Sequence, residues 1–322
     1  MARIMKGFAS ELYEMKEVRT RLEEEMIERL KKSHIDVQKL IIMERKEKRK
    51  EIHLMGRTRM GRCVTAREIA VMLGQVMGKR LKPAKQTKSV LGRDLEVMVF
   101  IEDTPYKTLT GVARAIKDGE EVSGDNFSFL SLDDGEEVLL LSDGMGAGDA
   151  ADRESCLLIE LLEHFLEAGF DKEAAIRMIN STYVLQSDSS SFSTIDLGSI
   201  DLYTGEAEFL KLGGAASFIK RKNSVECISA ETLPAGMFEE IELVRQKAVL
   251  SDGDYIVMVT DGIMDCFEGD NKEEQVAFLL EETTSVNPRE IASYVLNGAL
   301  EMSKNKNMDD MTVLVAGLWE KA

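Results

Sequence analysis

Four short stretches of the chain set an aspartate at the edge of an apolar run. "VLLLSDGMGAG" breaks off at Asp143 with Gly144 behind it, and "YIVMVTDGIMD" does the same at Asp261. "NMDDMTVLV" places Asp309 and Asp310 ahead of a third run, and "VSGDNF" places Asp125 ahead of a fourth. Singly, an Asp-Gly pair at the end of a strand reads as a turn. As a set, on strand ends that share one rim, the four would gather several carboxylates in one place. Carboxylates crowded together cannot all ionise unless cations neutralise them. A donor set made only of oxygen suits Mg2+ or Mn2+ rather than zinc or copper. Glycine behind the aspartate would let a backbone carbonyl reach the same ion.

Other chemistries fall away by count. The histidines are three, His34, His53 and His164, and none follows the last of these. The absence of histidine after residue 164 argues against a histidine-built zinc site and a Ser-His-Asp triad in the C-terminal half. Cys63, Cys156, Cys227 and Cys266 form no C-x-x-C pair and are widely spaced. That argues against structural disulfides and for a reducing, cytoplasmic setting. No apolar run approaches the roughly 18 residues of a membrane span, and no signal peptide is evident, so the piece reads as soluble.

Charge divides the chain. Residues 1–104 carry 24 Lys+Arg against 16 Asp+Glu, whereas residues 105–322 carry 17 against 42. The reversal of sign marks a domain boundary near residue 104. The acidic part would repel a nucleic-acid backbone, so nucleic acid is not an expected partner. A phosphorylated substrate would bind there only where cations reverse the local field.

These residues need elements to carry them. Residues 5–32 read as one long amphipathic helix, with Met5, Phe8, Leu12, Met15, Leu22 and Met26 at steps of three and four and Arg19 interrupting. Such a stripe could pack on its own domain or pair with a second copy, giving a homodimer. Strand-like runs at 35–43 and 51–57 flank a charged hairpin tip, Glu44–Lys50. "TAREIAVMLGQVMG" opens with Thr65 and Glu68 at capping-box spacing, and "DLEVMVFIED" is a further strand. Residues 1–104 thus read as a regulatory segment: a long helix, then a small β-β-α-β-β module without chemistry of its own.

From residue 105 to 322 the pattern is different. "FSFLSLDDGEEVLLLSD" is a hairpin. Two helices follow, one closed by Gly169 and one capped by Asp171. Strand-like runs with turn signals fill 192–229, then 240–250 and 254–261. Two more helices come next, the second led by Asn287 and Pro288, and "MTVLVAGLW" closes as a strand. The class is α+β, and the simplest layered solution is a four-layer αββα sandwich of two antiparallel sheets with helix pairs outside. "SDSSSFST" reads as a flexible loop. Gly213 and Gly214 lie between strands and read as close packing, because glycine-rich phosphate loops precede helices.

In this order, "SGDNF", "LSDGMGAG", "VTDGIMD" and "DDMTVLV" resemble the motif set of the PPM family of metal-dependent protein serine/threonine phosphatases, the protein phosphatase 2C-like enzymes. "DGMG", with Met145 where the wider family has histidine, is similar to the family's bacterial sporulation and stress-response branch. The resemblance implies that Asp143 bridges two divalent cations, with the Gly144 carbonyl on one of them. It implies Asp261 and Asp309 on the other, with Asp310 the alternative to Asp309, and Asp125 acting through bound water. Mn2+ is the ion usual in the branch, with Mg2+ the alternative. It implies hydrolysis of phosphoserine by a hydroxide held between the two ions. The implied substrate is a phosphorylated anti-anti-sigma factor, whose dephosphorylation activates a sporulation sigma factor. The implied setting is the cytosolic part of a membrane-anchored parent. Two features depart from the family: Met145 cannot donate a proton, and "DGEEVSGD" offers Glu120 and Glu121 where a phosphate-binding arginine is usual, the nearest being Arg114.

Two rivals remain open on the sequence. Haloacid-dehalogenase-like phosphatases also open on an apolar strand ending in aspartate, and Asp252 and Asp254 imitate their Asp-x-Asp. That fold has a parallel sheet, against which the meander at 192–229 speaks. The other rival is a phosphatase fold without catalysis that only docks a partner.

Overall fold

Apolar runs as unbroken as Val138–Leu141 need cover on both faces of their sheet. The computed structural model describes residues 16–17, 21–44, 49–59, 62–146, 148–185, 192–230, 232–304 and 307–321. Its contacts divide the chain into two compact units, Met1–Thr104 and Pro105–Ala322.

The first unit contains β1 (Lys16–Glu17), α1 (Arg21–Lys32), β2 (Ile35–Glu44), β3 (Lys50–Thr58), β4 (Val64–Thr65), α2 (Ala66–Met77), β5 (Leu81–Pro83), β6 (Val90–Leu91) and β7 (Glu96–Glu102). Its main sheet runs β1-β2-β3-β7-β5, and a ribbon joins β4 to β6. Leu40, Ile42, Leu54, Met98 and Phe100 form one buried cluster with Met26 and Leu30 of α1 and Ile69 and Leu73 of α2. The Thr65 hydroxyl accepts the Glu68 amide at 3.2 Å, and the Glu68 carboxylate accepts the Thr65 amide at 2.8 Å, so the capping box starts α2. The unbroken helix read over 5–32 needs correction. The helix begins at Arg21, while Lys16–Glu17 are extended and pair with Met43 and Glu44. The free edge of β2 offers ladder groups that a strand satisfies and a helix cannot. Met5, Phe8, Leu12 and Met15, and residues 45–48 of the hairpin tip, lie outside the described residues.

The second unit contains β8 (Tyr106–Ala115), β9 (Asp125–Ser131), β10 (Glu136–Asp143), α3 (Asp149–Glu167), α4 (Lys172–Leu185), β11 (Ile195–Asp201), β12 (Glu206–Leu212), β13 (Ser217–Lys220), β14 (Val225–Ile228), β15 (Val244–Val249), β16 (Tyr255–Val259), α5 (Asp261–Met264), α6 (Lys272–Glu282), α7 (Pro288–Met302) and β17 (Met311–Glu320). One sheet runs β15-β12-β11-β10-β9 and the other β14-β13-β16-β17-β8. The period-two alternation of a strand sorts their side chains into layers. Leu139, Leu141, Phe209, Ile256, Met258 and Leu314 fill the space between the sheets. Val138, Leu140, Leu197 and Leu210 turn outward onto Leu158, Leu162, Ile176 and Ile179 of α3 and α4. Val257, Val313 and Val315 turn outward onto Val276, Leu280, Ile291 and Val295 of α6 and α7. Helices, sheet, sheet and helices make the αββα sandwich.

Two features escaped the sequence. β8, "YKTLTGVARA", is too polar to read as a strand, yet it pairs with β17 along its whole length. The meander at 192–229 is split: β12 belongs to one sheet and β13 to the other.

α7 crosses β8 at Gly111, where an added Cβ would stand 2.3 Å from the Arg289 nitrogen. Gly111→Ala is therefore expected to push helix from strand at a cost of about 1–3 kcal/mol. Urea unfolding should register this, while Leu109→Ala, at a side chain 56% exposed on the same strand, should change stability by no more than about 0.5 kcal/mol.

Candidate functional site

The ends of β9 and β10 are locked before any side chain is considered. Asp143 and Asp125 are direct cross-strand partners. The Asp143 amide donates to Thr194 Oγ1 at 2.9 Å, the Thr194 amide donates back to the Asp143 carbonyl at 2.9 Å, and the Gly144 amide donates to the Gly124 carbonyl at 3.2 Å. Gly144 is required by proximity: an added Cβ would lie 2.3 Å from the Ala151 carbonyl oxygen in the first turn of α3. Gly262, the glycine of the second Asp-Gly pair, has the same reason, since its Cβ would meet the Asp310 carbonyl oxygen at 2.0 Å. Both glycines let neighbouring segments close on the aspartates, a use the turn reading does not cover.

Asp143 and Asp261 line one pocket with Thr194, Asp196, Gly213, Gly214, Ala215 and Thr260. Asp261 opens the single turn α5 rather than ending a strand, because β16 stops at Val259. Asp125 is fully buried; its Oδ2 accepts the Thr260 hydroxyl at 3.0 Å, and its Oδ1 has no hydrogen-bond partner. Burial pushes the Asp125 carboxyl up to about 7, against the pull of the Thr312 and Thr260 hydroxyls. Asp143 is pushed further, to about 10, by burial first and then by the negative charges of Asp261 and Asp125. Ionised together, these carboxylates would repel one another, which, added to burial, is why Asp143 holds its proton so high.

The pair at 309–310 separates into two tasks. Both oxygens of Asp310 are committed: Oδ1 accepts the Lys117 amide at 3.0 Å, and Oδ2 accepts the Gly124 amide at 2.8 Å. This buried carboxylate therefore clamps the loop that leads into Asp125. Asp309 is half-exposed, adds to the charge acting on Asp143, and lies 3.3 Å from Lys117 Nζ. Among the described residues, no three His, Cys, Asp or Glu side chains stand at metal-holding spacing. Lys117 pairs with Asp309, and the loop amides take both oxygens of Asp310.

Arg114 does not reach out for phosphate. Its Nη2 donates to the Asp125 carbonyl at 2.5 Å and its guanidinium lies over the Phe127 ring, 5.5 Å from the centroid. Lys117 is the cation that sequence reasoning missed, because its neighbour Asp309 lies far along the chain. Met145 is exposed beside the pocket strand. The Asp-x-Asp reading of Asp252 and Asp254 is excluded: Asp252 accepts the Glu320 amide and Asp254 pairs with Arg221 at 2.6 Å, in the turn before β16, and the sheets are antiparallel.

Whether a cation fits is answered by the donors. All are anionic or carbonyl oxygens, one buried carboxylate oxygen is unpartnered, and burial plus mutual repulsion raises two of the acids. Divalent cations that favour hard oxygen donors match this set.

The stage II sporulation protein E family model matches residues 133–318. The chain is 32% identical to stage II sporulation protein E of Priestia megaterium over 99% of its length and 31% identical to that of Bacillus subtilis (strain 168) over 98%. It spans only 54% and 38% of those two relatives. A solved structure of the PP2C phosphatase domain and a fragment of the regulatory domain of SpoIIE from Bacillus subtilis superimposes with a TM-score of 0.72 at 30% identity, covering 100% of this chain and 93% of that one.

Between the ordinary carboxylate range and the raised values of Asp143 and Asp125, the folded chain holds protons that the unfolded chain has released. These two groups therefore make stability fall as pH rises. Urea midpoints measured in EDTA should drop between about pH 5.5 and about pH 8.5, by the equivalent of about 1–3 kcal/mol. Asp143→Asn should flatten that slope and be the more stable protein at the alkaline end. An Asp143→Asn variant weaker than the parent there would contradict the repulsion.

Proposed function

The chain belongs to the stage II sporulation protein E family, and on that premise we propose that residues 105–322 are a metal-dependent protein serine/threonine phosphatase acting on phosphoserine. The observation that carries this reading is the convergence of Asp143 and Asp125, cross-strand partners at the strand ends of one sheet, with Asp261, which follows β16 of the other sheet and lines the same pocket as Asp143. Asp143 would bridge two cations and the Gly144 carbonyl would join one of them. Asp261 and Asp309 would hold the other, and Asp125 would act through water. Asp309 is preferred to Asp310 because the latter spends both oxygens on backbone amides. When bound, two divalent ions, Mn2+ or Mg2+, supply Lewis acidity that activates water near neutral pH and screens the phosphoryl charge.

The chain's own residues do the rest. Thr194 and Gly124 fix the backbone at Asp143 and Gly144, so these donors need no reorganisation. Thr260 ties Asp125 to the opposite sheet and also accepts the Thr312 amide at 2.9 Å. Lys117 Nζ, partly exposed beside Asp309, is the group placed to take a phosphoryl oxygen. Residues 1–104 are assigned a regulatory role. The proposed substrate is a phosphorylated anti-anti-sigma factor, in keeping with the sporulation family. Cytosolic placement, a homodimer and a membrane-anchored parent complete the proposal; no described helix of this chain is long and apolar enough to cross a membrane.

Hydrolysis of an aryl phosphate and of a phosphoserine peptide should require Mn2+ or Mg2+ and stop in EDTA. Asp143→Asn should lower the rate by on the order of a hundredfold or more, since groups outside the ligand shell alone are worth about 10–100-fold. Activity surviving both EDTA and Asp143→Asn would overturn the reading, and a well-folded parent without metal-stimulated hydrolysis would favour the docking alternative. Asp309→Asn should weaken the metal dependence with the fold intact. Asp310→Asn, which removes a buried clamp, should cost about 1–3 kcal/mol of stability.

A further inference from the structure

Lys211 is among the largest fully buried side chains of the protein, in the company of phenylalanines and leucines. Its ammonium spends three donors: on Asp196 Oδ2 at 2.5 Å, the Ala215 carbonyl at 2.7 Å and Ser217 Oγ at 2.8 Å. Ser217 Oγ in turn donates to Asp196 Oδ2 at 3.1 Å. The remaining oxygen, Asp196 Oδ1, is buried without a partner, and Asp196 lines the same pocket as Asp143 and Asp261. Gly214 lies against this carboxylate, where an added Cβ would stand 3.0 Å from Asp196 Cβ.

The position of the network in the fold is informative. Lys211 on β12 and Asp196 on β11 are direct cross-strand partners within one sheet. Asp196 also faces Leu141 of β10, two residues before Asp143. Ser217, on β13, belongs to the other sheet and faces Met258 of β16, three residues before Asp261. The contact from Lys211 to Ser217 thus crosses between the sheets, two strands from β10 and one from β16, while Asp196, which also accepts the Ser217 hydroxyl, is one strand from β10. A buried ion pair is an expensive way to fill space, since apolar residues of similar volume commonly do as well or better. Its value lies in fixed geometry.

We propose that Asp196, Lys211 and Ser217 are positioning residues for the candidate metal site, a polar pin between the two sheets that sets the distance from the end of β10 at Asp143 to the end of β16, two residues before Asp261. The inference rests on the metal-site reading above. Ligands drawn from two sheets can share an ion only if the sheets keep one separation, and side chains supporting metal ligands are worth about 10–100-fold in affinity.

The test is calorimetric titration of Mn2+ into the full chain, which reads binding without turnover. The variants are Asp196→Val with Lys211→Met, which replaces the pair by apolar groups, and Ser217→Ala, which removes the cross-sheet hydroxyl alone. The double variant is expected to bind Mn2+ about tenfold more weakly and Ser217→Ala on the order of threefold more weakly. Aryl-phosphate kcat at saturating Mn2+ should change less than the Mn2+ midpoint does. Parental Mn2+ affinity in both variants would overturn the pin and leave the metal reading standing. A parent that binds no Mn2+ would overturn the metal reading and the pin with it. Should the double variant not fold, Ser217→Ala decides alone, weaker binding supporting the pin and parental affinity rejecting it.

Discussion

Like charge buried at one end of the sandwich is the constraint around which the phosphatase-like unit is arranged. Asp143 and Asp125 are adjacent on neighbouring strands, and Asp261 faces Asp143 across the pocket. Both sheets must be well covered to hold Asp125 and Asp143 out of water, since an exposed carboxylate would return to its ordinary range; Asp261 is exposed at the rim. Three apolar layers supply the cover and strand pairing supplies the rigidity.

The surrounding polar groups each restrain one degree of freedom. Arg114 and Thr260 grip Asp125 by its carbonyl and its carboxylate. Asp310 draws the 117–124 loop down onto the start of β17. Gly144 and Gly262 remove side chains where backbone must touch backbone. Most of these contacts join segments distant in sequence, so the site is as much a product of the fold as of its motifs.

How much of this was legible in the sequence depends on the range of the cause. The capping box at Thr65 and Glu68, and the caps at Asp171 and Asn287, were readable because a cap is settled within three residues. β10 was readable from its apolar run. β8 was not, because half of its residues face outward at a sheet edge and its strand character comes from pairing with β17. Periodicity alone extended the first helix too far, since it carries no information about the open edge of β2 that takes Lys16–Glu17. Gly213 and Gly214 were read as packing glycines, and Pro234 and the Asp196 carboxylate are what they pack against.

The sequence by itself determined which polar groups are to hand: a histidine-free C-terminal stretch and aspartates at the borders of apolar runs, hence carboxylate oxygen rather than imidazole. It also determined the layered class, because runs apolar on both faces must be covered on both. Only the tertiary structure decided which aspartate does what. Asp309 and Asp310 are identical side chains in neighbouring positions, and the amides of Lys117 and Gly124, brought close by the pairing of β8 with β17, separate them. The same holds for Lys211 and Asp196, whose partner Ser217 arrives only when the chain leaves one sheet for the other. Residue type fixes what a group can bind, whereas its partners depend on distances that no local pattern encodes.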